Sequence, residues 1–111
     1  MKKRTKGFAL QIIELVESLP NHRTCQIIGK QHLRSGTSVG ANYSAASRAK
    51  SRADFISKMG IVEEEADESA YWMEILLESG KKNDGQLQAA LKEANEILAI
   101  AVASIKTAKK E

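Results

Sequence analysis

Apolar residues recur along most of this chain at spacings of three and four, the pattern of helices that each bury one face. In the first such stretch Phe8, Ile12, Leu15, Val16 and Leu19 share a face, with Gln11, Glu14 and Ser18 opposite. Pro20 closes it, because a residue that precedes proline is pushed out of the helical region. The spacing predicts a helix over 6–18. A second helix is predicted over 24–49, with Thr24 placed to cap it and Cys25, Ile28, His32, Val39 and Ala46 as its stripe. Ile27 and Leu33 lie beside that stripe. Gly29, Gly36 and Gly40 work against a helix here, at about 1 kcal/mol each relative to Ala. An interruption near Gly36 is therefore the alternative reading. One continuous helix is favoured because the stripe resumes in phase and small residues suit a close helix–helix approach.

The third helix is predicted over 51–79. Ser51 with Asp54 three residues on resembles a capping box, and Gly80 supplies a stop. Its stripe is Phe55, Met59, Val62, Ala66, Ser69, Met73 and Leu76, alternating spacings of four and three. After the polar turn Lys81–Gly85, a fourth helix is predicted over 86–108 on Leu87, Leu91, Ala94, Leu98, Ala101, Ile105 and Ala108. Lys106, Lys109 and Lys110 suit its C-terminal end, where the helix dipole is negative. Together these elements predict an all-α protein, an up-down-up-down antiparallel four-helix bundle. Residues 6–111 make one domain, and 1–5, MKKRT, are expected to form a flexible basic extension.

One bundle core needs one stripe per helix. The third helix also carries Ile56, Ile61, Tyr71, Trp72 and Ile75 off its stripe, and the fourth carries Ile97, Ile100 and Val102. That surplus points to association between copies, with a wide core-facing stripe as the alternative. The candidate subunit interface is Gly36, Gly40, Tyr43, Tyr71 and Trp72.

Composition changes this picture little. With 5% aromatic residues and a single proline in 111 residues, the chain is helical rather than β-rich. Cys25 is the only cysteine, which fits a reducing compartment and a cytoplasmic location. The basic-then-apolar start is broken by Gln11, Glu14 and Glu17, so it reads as an amphipathic helix rather than a secretion signal, and no apolar run is long enough to span a membrane.

Charge changes it more. The net charge of +3 hides a segregation: Ser18 to Ala53 holds six Arg or Lys and no acid, whereas Asp54 to Glu78 holds eight acids and one base, Lys58. Neighbouring helices of opposite charge attract, which is one reading. The other is a basic surface for nucleic acid, with Arg34, Arg48, Lys50 and Arg52 as its candidates and RNA or DNA phosphates as its target.

Catalytic chemistry finds no foothold. A carboxylate-bridged metal site in a bundle needs Glu-x-x-His pairs, and neither His22 nor His32 follows a Glu by three. Cys25 and His32 sit two turns apart, about 10.5 Å, beyond hydrogen-bonding reach. Gly36-x-x-x-Gly40 lacks the Lys and Ser/Thr of a phosphate loop. No catalytic, metal or cofactor residues are assigned, and the chain is read as non-enzymatic.

Three blocks then carry a resemblance: RSGTSVGAN at Arg34–Asn42, SRAKSRADF at Ser47–Phe55, and GIVEEEADE at Gly60–Glu68, followed by the Tyr71–Trp72 pair. Across Leu33–Leu76 the sequence resembles the bacterial 23S rRNA intervening-sequence proteins, a family that includes the accessory variability determinant protein of diversity-generating retroelements. The resemblance implies a four-helix bundle that assembles as a homopentameric barrel. In the retroelement branch it implies nucleic-acid binding through a basic surface and a reverse transcriptase as partner.

Overall fold

The structure, a computed structural model, describes residues 1–111 as four helices: α1 (Lys2–Glu17), α2 (Arg23–Ser47), α3 (Arg52–Glu78) and α4 (Gly85–Lys110). Each helix packs on its two neighbours around a square, α1 on α2 and α4, and α3 on α2 and α4, with no diagonal contact. The result is an elongated antiparallel bundle of 47 × 20 × 18 Å. One end carries the α1–α2 and α3–α4 connections. The other carries Met1, the α2–α3 turn and the C-terminus of α4.

Local chemistry explains most helix ends. The Ser51 hydroxyl accepts the Asp54 amide at 3.0 Å, satisfying one orphan donor at the start of α3. Asp54 in turn accepts the Lys50 amide at 3.2 Å, one residue further back than in a full capping box. At the other end Gly80 adopts φ +75, where the Gly80 and Lys81 amides return to the carbonyls of Leu77 and Leu76. This is a Schellman closure, which favours glycine at that position. Asp84 caps α4 by accepting the Leu87 amide at 3.0 Å. α2 begins one residue before the expected Thr24, with His22 in the cap position and no side-chain cap bond.

Residues 2–5 are not a flexible extension. They form the first turn of α1, because they are tied to both neighbours. Thr5 is buried beside the Gly40 position of α2. Arg4 forks onto Glu93 of α4 through Nε and Nη2, both at 2.7 Å, and also reaches Glu96 at 2.9 Å.

α2 is unbroken through its glycines, and the packing shows why. Gly29, Gly36 and Gly40 lie on the face that meets α1, where Val16, Ile12 and Thr5 stand against them. A Cβ at Gly36 would come within 2.9 Å of two carbons of Ile12. Ile12 is fully buried and β-branched, so it has little freedom to yield. The glycines form a shallow groove that admits the ridge of α1, and the cost in helix propensity is the condition for close approach. Gly36 is thus buried in a contact within the chain, and Gly40 meets Thr5 while staying half-buried.

The core draws on all four helices: Phe8, Ile12 and Leu15; Ile28 and Val39; Met59, Val62, Met73 and Leu76; Leu87 and Ile97. The third stripe is as expected except that Phe55 is only half-buried. The fourth is partly rotated. Its buried set is Leu87, Ala90, Ala94, Ile97, Ala101 and Ala108, four of them as expected, while the expected Leu91, Leu98 and Ile105 flank it half-buried. Apolar residues sit on both sides of this helix, so the sequence pattern alone fits either rotation. The observed one turns Glu93 and Glu96 toward Arg4.

Gly36→Ala and Gly60→Ala provide a matched test. Both gain helix propensity, but nothing lies within 4 Å of a Cβ added at Gly60. In urea unfolding, Gly60→Ala is expected to stabilise by up to about 1 kcal/mol. Gly36→Ala is expected to destabilise, leaving a gap between the two of roughly 1–3 kcal/mol from overpacking against Ile12. Equal effects would contradict the groove.

Candidate interaction surfaces

Arg48 closes α2 and Arg52 opens α3, so the short turn between them brings Arg48, Lys50 and Arg52 together. All three are exposed and none is in a salt bridge. The nearby carboxylate, Asp54, is taken by the Lys58 ammonium, which with the Lys50 amide holds it below the usual carboxylate range. Lys106, Lys109 and Lys110 reach the same end from α4, which the linear sequence does not reveal, and they too lack salt bridges.

Arg34 does not join them. It lies 14 positions before Arg48 on the same helix, roughly 20 Å along its axis. Its guanidinium reaches Glu65 at 2.9 Å and also pairs with Glu68, both on α3. The charge segregation of α2 and α3 is therefore partly consumed in holding those two helices together. Glu68 also accepts the Trp72 indole N–H at 3.1 Å, and this bond and Arg34 hold its carboxyl below the usual range.

The second candidate surface is the outer side of α3. Ile61 and Tyr71 are 39% and 52% exposed, and Trp72 and Ile75 are half-buried beside them. Tyr71 and Trp72 meet edge to face, with ring centroids 5.2 Å apart. Tyr43, like Trp72 and Ile75, packs half-buried against the chain's own core. Ile97 also leaves the set of surplus apolar residues, since it is fully buried. Leu10, Ile27 and Leu33 are exposed on α1 and α2.

No three His, Cys, Asp or Glu side chains converge in a way that could hold a metal ion. No helix is long and apolar enough to cross a membrane. Cys25 is buried, and so is His32, whose two ring nitrogens have no hydrogen-bond partner. The Ser69 hydroxyl is likewise unpaired. Burial pushes the imidazole down to about 4, so His32 is neutral in the folded chain near neutral pH.

These observations define a small antiparallel bundle with one basic end and one apolar-acidic flank. Family comparison agrees with that class: residues 1–103 match the model of the family described as 23S rRNA-intervening sequence protein. The chain belongs to this family. It is also similar to a crystal structure of a protein of unknown function from the S23 ribosomal protein family of Bacteroides thetaiotaomicron. The two are 38% identical over 95% of this chain and 97% of that one, with a TM-score of 0.87. No curated protein matches the chain.

His32 gives a pH signature. Its folded pKa lies below the ordinary histidine value of about 6.5, so between the two an unfolded chain binds a proton that the folded chain refuses. The contribution is fully present above about pH 6.5 and is lost as pH falls toward about 4, by roughly 2–3 kcal/mol at most. Asp54, Glu68 and Asp84 have lowered pKa values, and their contributions fall mainly below about pH 4.5, at and beyond the bottom of that window. Urea unfolding from pH 7 to 4.5 is expected to show this slope, and His32→Leu is expected to flatten it. An equal slope in both proteins would contradict the assignment.

Proposed function

We propose that this chain is a non-enzymatic homo-oligomer, a pentameric ring of helical bundles that serves as a scaffold for a partner. The observation that carries the reading is the outer side of α3. Ile61 and Tyr71 are exposed, Trp72 and Ile75 are only half-buried against the chain's own core, and all four lie on one long helix. Burying such a stripe against another copy recovers apolar area that is otherwise wet. The flanking Glu64, Asp67, Glu74 and Glu78 favour a neighbour that presents a basic face. The outer sides of α1 and α2 offer Lys6 and Lys30 together with exposed Leu10, Ile27 and Leu33. Two different faces meeting head to tail generate a closed ring when the rotation closes. The number five is supported by family resemblance alone.

A second reading is an accessory nucleic-acid-binding protein that works with a reverse transcriptase. It is favoured by the three unpaired cations Arg48, Lys50 and Arg52, but no longer by Arg34, whose charge is met within the chain. Such contacts would be to phosphates and would weaken steeply with salt.

Light scattering is expected to give a mass about five times the 12.2 kDa of one chain. Ile61→Glu with Tyr71→Glu is expected to yield monomers with unchanged helical circular dichroism, because both side chains lie outside the core. A wild-type monomer at micromolar concentration would overturn the proposal.

A further inference from the structure

Three buried side-chain atoms have no hydrogen-bond partner in the chain: the two ring nitrogens of His32 and the Ser69 hydroxyl oxygen. Both residues are fully buried, and each stands on the inward stripe of its helix. They also stand at one level of the bundle. Arg34 of α2 meets Glu65 and Glu68 of α3, which fixes the register of these two antiparallel helices. Two residues back along α2 correspond to two residues forward along α3, so His32 lies level with 67–70 and hence with Ser69. Ser35, one turn from His32, is fully buried on the same stripe. Its hydroxyl donates to the His32 carbonyl at 3.1 Å, leaving its lone pairs to accept. An imidazole and two hydroxyls thus gather in one layer of the core, between Ile28 and Val39 on α2 and Ala66 and Met73 on α3.

We infer that this layer is a buried hydration site, in which an internal water joins the His32 ring to the Ser69 and Ser35 hydroxyls across the seam between α2 and α3. The inventory of donors and acceptors selects the ligand. A neutral imidazole offers one N–H and one lone-pair nitrogen, and burial keeps this ring neutral by pushing its pKa down to about 4. Each serine hydroxyl carries both a donor and acceptor lone pairs. Water matches such a mixed set, and internal waters sit on buried polar groups that the protein itself leaves unpaired, with about three hydrogen bonds each. The ring, Ser69 and Ser35 supply that number. The two ring nitrogens lie on different edges of the imidazole, so meeting both takes a second water. A metal ion fits poorly, because one imidazole and two neutral hydroxyls provide no anionic ligand, and no three His, Cys, Asp or Glu side chains converge. An apolar ligand would leave the same polar atoms unpaired. The site lies inside a single chain and does not depend on the proposed assembly or its partner.

Magnetic relaxation dispersion of the water oxygen nucleus tests this on the full chain near neutral pH. It counts waters held inside a protein and is blind to exchanging hydroxyl and imidazole protons. The wild-type chain is expected to hold at least one long-lived water. His32→Leu with Ser69→Ala, which replaces the polar layer with apolar groups, is expected to lose about one long-lived water per chain. Circular dichroism checks that this variant keeps its helices. Ser69→Ala alone is the milder change and is expected to lower the dispersion amplitude as well, which keeps the test open should the double variant not fold. In isotope-labelled protein the His32 ring is expected to show a single tautomer, with a dipolar contact from its N–H to water. Equal dispersion amplitudes in the wild-type chain and a folded variant would overturn the inference. So would a ring that contacts the Ser69 side chain and no water, which would mark a direct hydrogen bond between the two residues. The comparison is made per chain between proteins of the same mass, so it is read separately from the number of subunits.

Discussion

The packing of α1 into the glycine groove of α2 is the constraint on which the rest of the molecule depends. Ile12 sits on Gly36 at a distance that leaves no room for a methyl group, and Thr5 sits beside Gly40. Three glycines in one helix sacrifice helix propensity on the order of 3 kcal/mol, so the contact they permit has to compensate. It does so by letting two backbones approach and bury Phe8, Ile12 and Leu15 completely. The same contact holds the first turn of α1 against α2. That places Arg4 against Glu93 and Glu96 and is consistent with the rotation of α4 that buries Ile97 in place of Leu98. One local packing decision thus links the first turn of α1 to the register of the last helix.

Charge follows a similar logic. The acid-free stretch and the acidic stretch of the sequence become neighbouring helices, and Arg34 joins them through Glu65 and Glu68. Exposed pairs of this kind contribute little stability, of order 1 kcal/mol or less, but they fix register and orientation. The charge that remains unmatched is concentrated where helices end: Arg48, Lys50 and Arg52 at a turn, and the lysines that close α4. A cation inside a seam is a structural element. A cation at a helix end that forms no salt bridge is available to a partner.

Much of the fold was legible in the sequence because its signals are local. Ser51 and Gly80 announce their roles by residue type alone, and the heptad of α3 places Met59, Val62, Ala66, Met73 and Leu76 correctly. The RSGTSVGAN and GIVEEEADE blocks were enough to suggest the family. What was not legible depends on which helix faces which. Residues 2–5 looked frayed because their partners, Gly40 and Glu93, are distant in sequence. Gly36 meets Ile12 of its own chain, which residue type could not announce, because small residues mark close approach without saying to what. Arg34 looked like a phosphate ligand because its carboxylates lie a helix away. In α4 the stripe holds at Leu87, Ala94, Ala101 and Ala108, but Leu91, Leu98 and Ile105 make as good a set as Ala90 and Ile97, which are buried instead. The basic end was only half visible, since its α4 lysines are more than 50 positions from Arg52.

The central functional claim is that the outer side of α3 is buried between copies. The overall size of the particle in dilute solution tests it most directly. A single chain has a Cα radius of gyration of 14.4 Å. Small-angle X-ray scattering should give a value of about 24 Å or more, the size of a compact particle of five such chains. A radius that stays near that of the single chain across a hundredfold range of concentration, up to roughly 1 mM, would contradict the account.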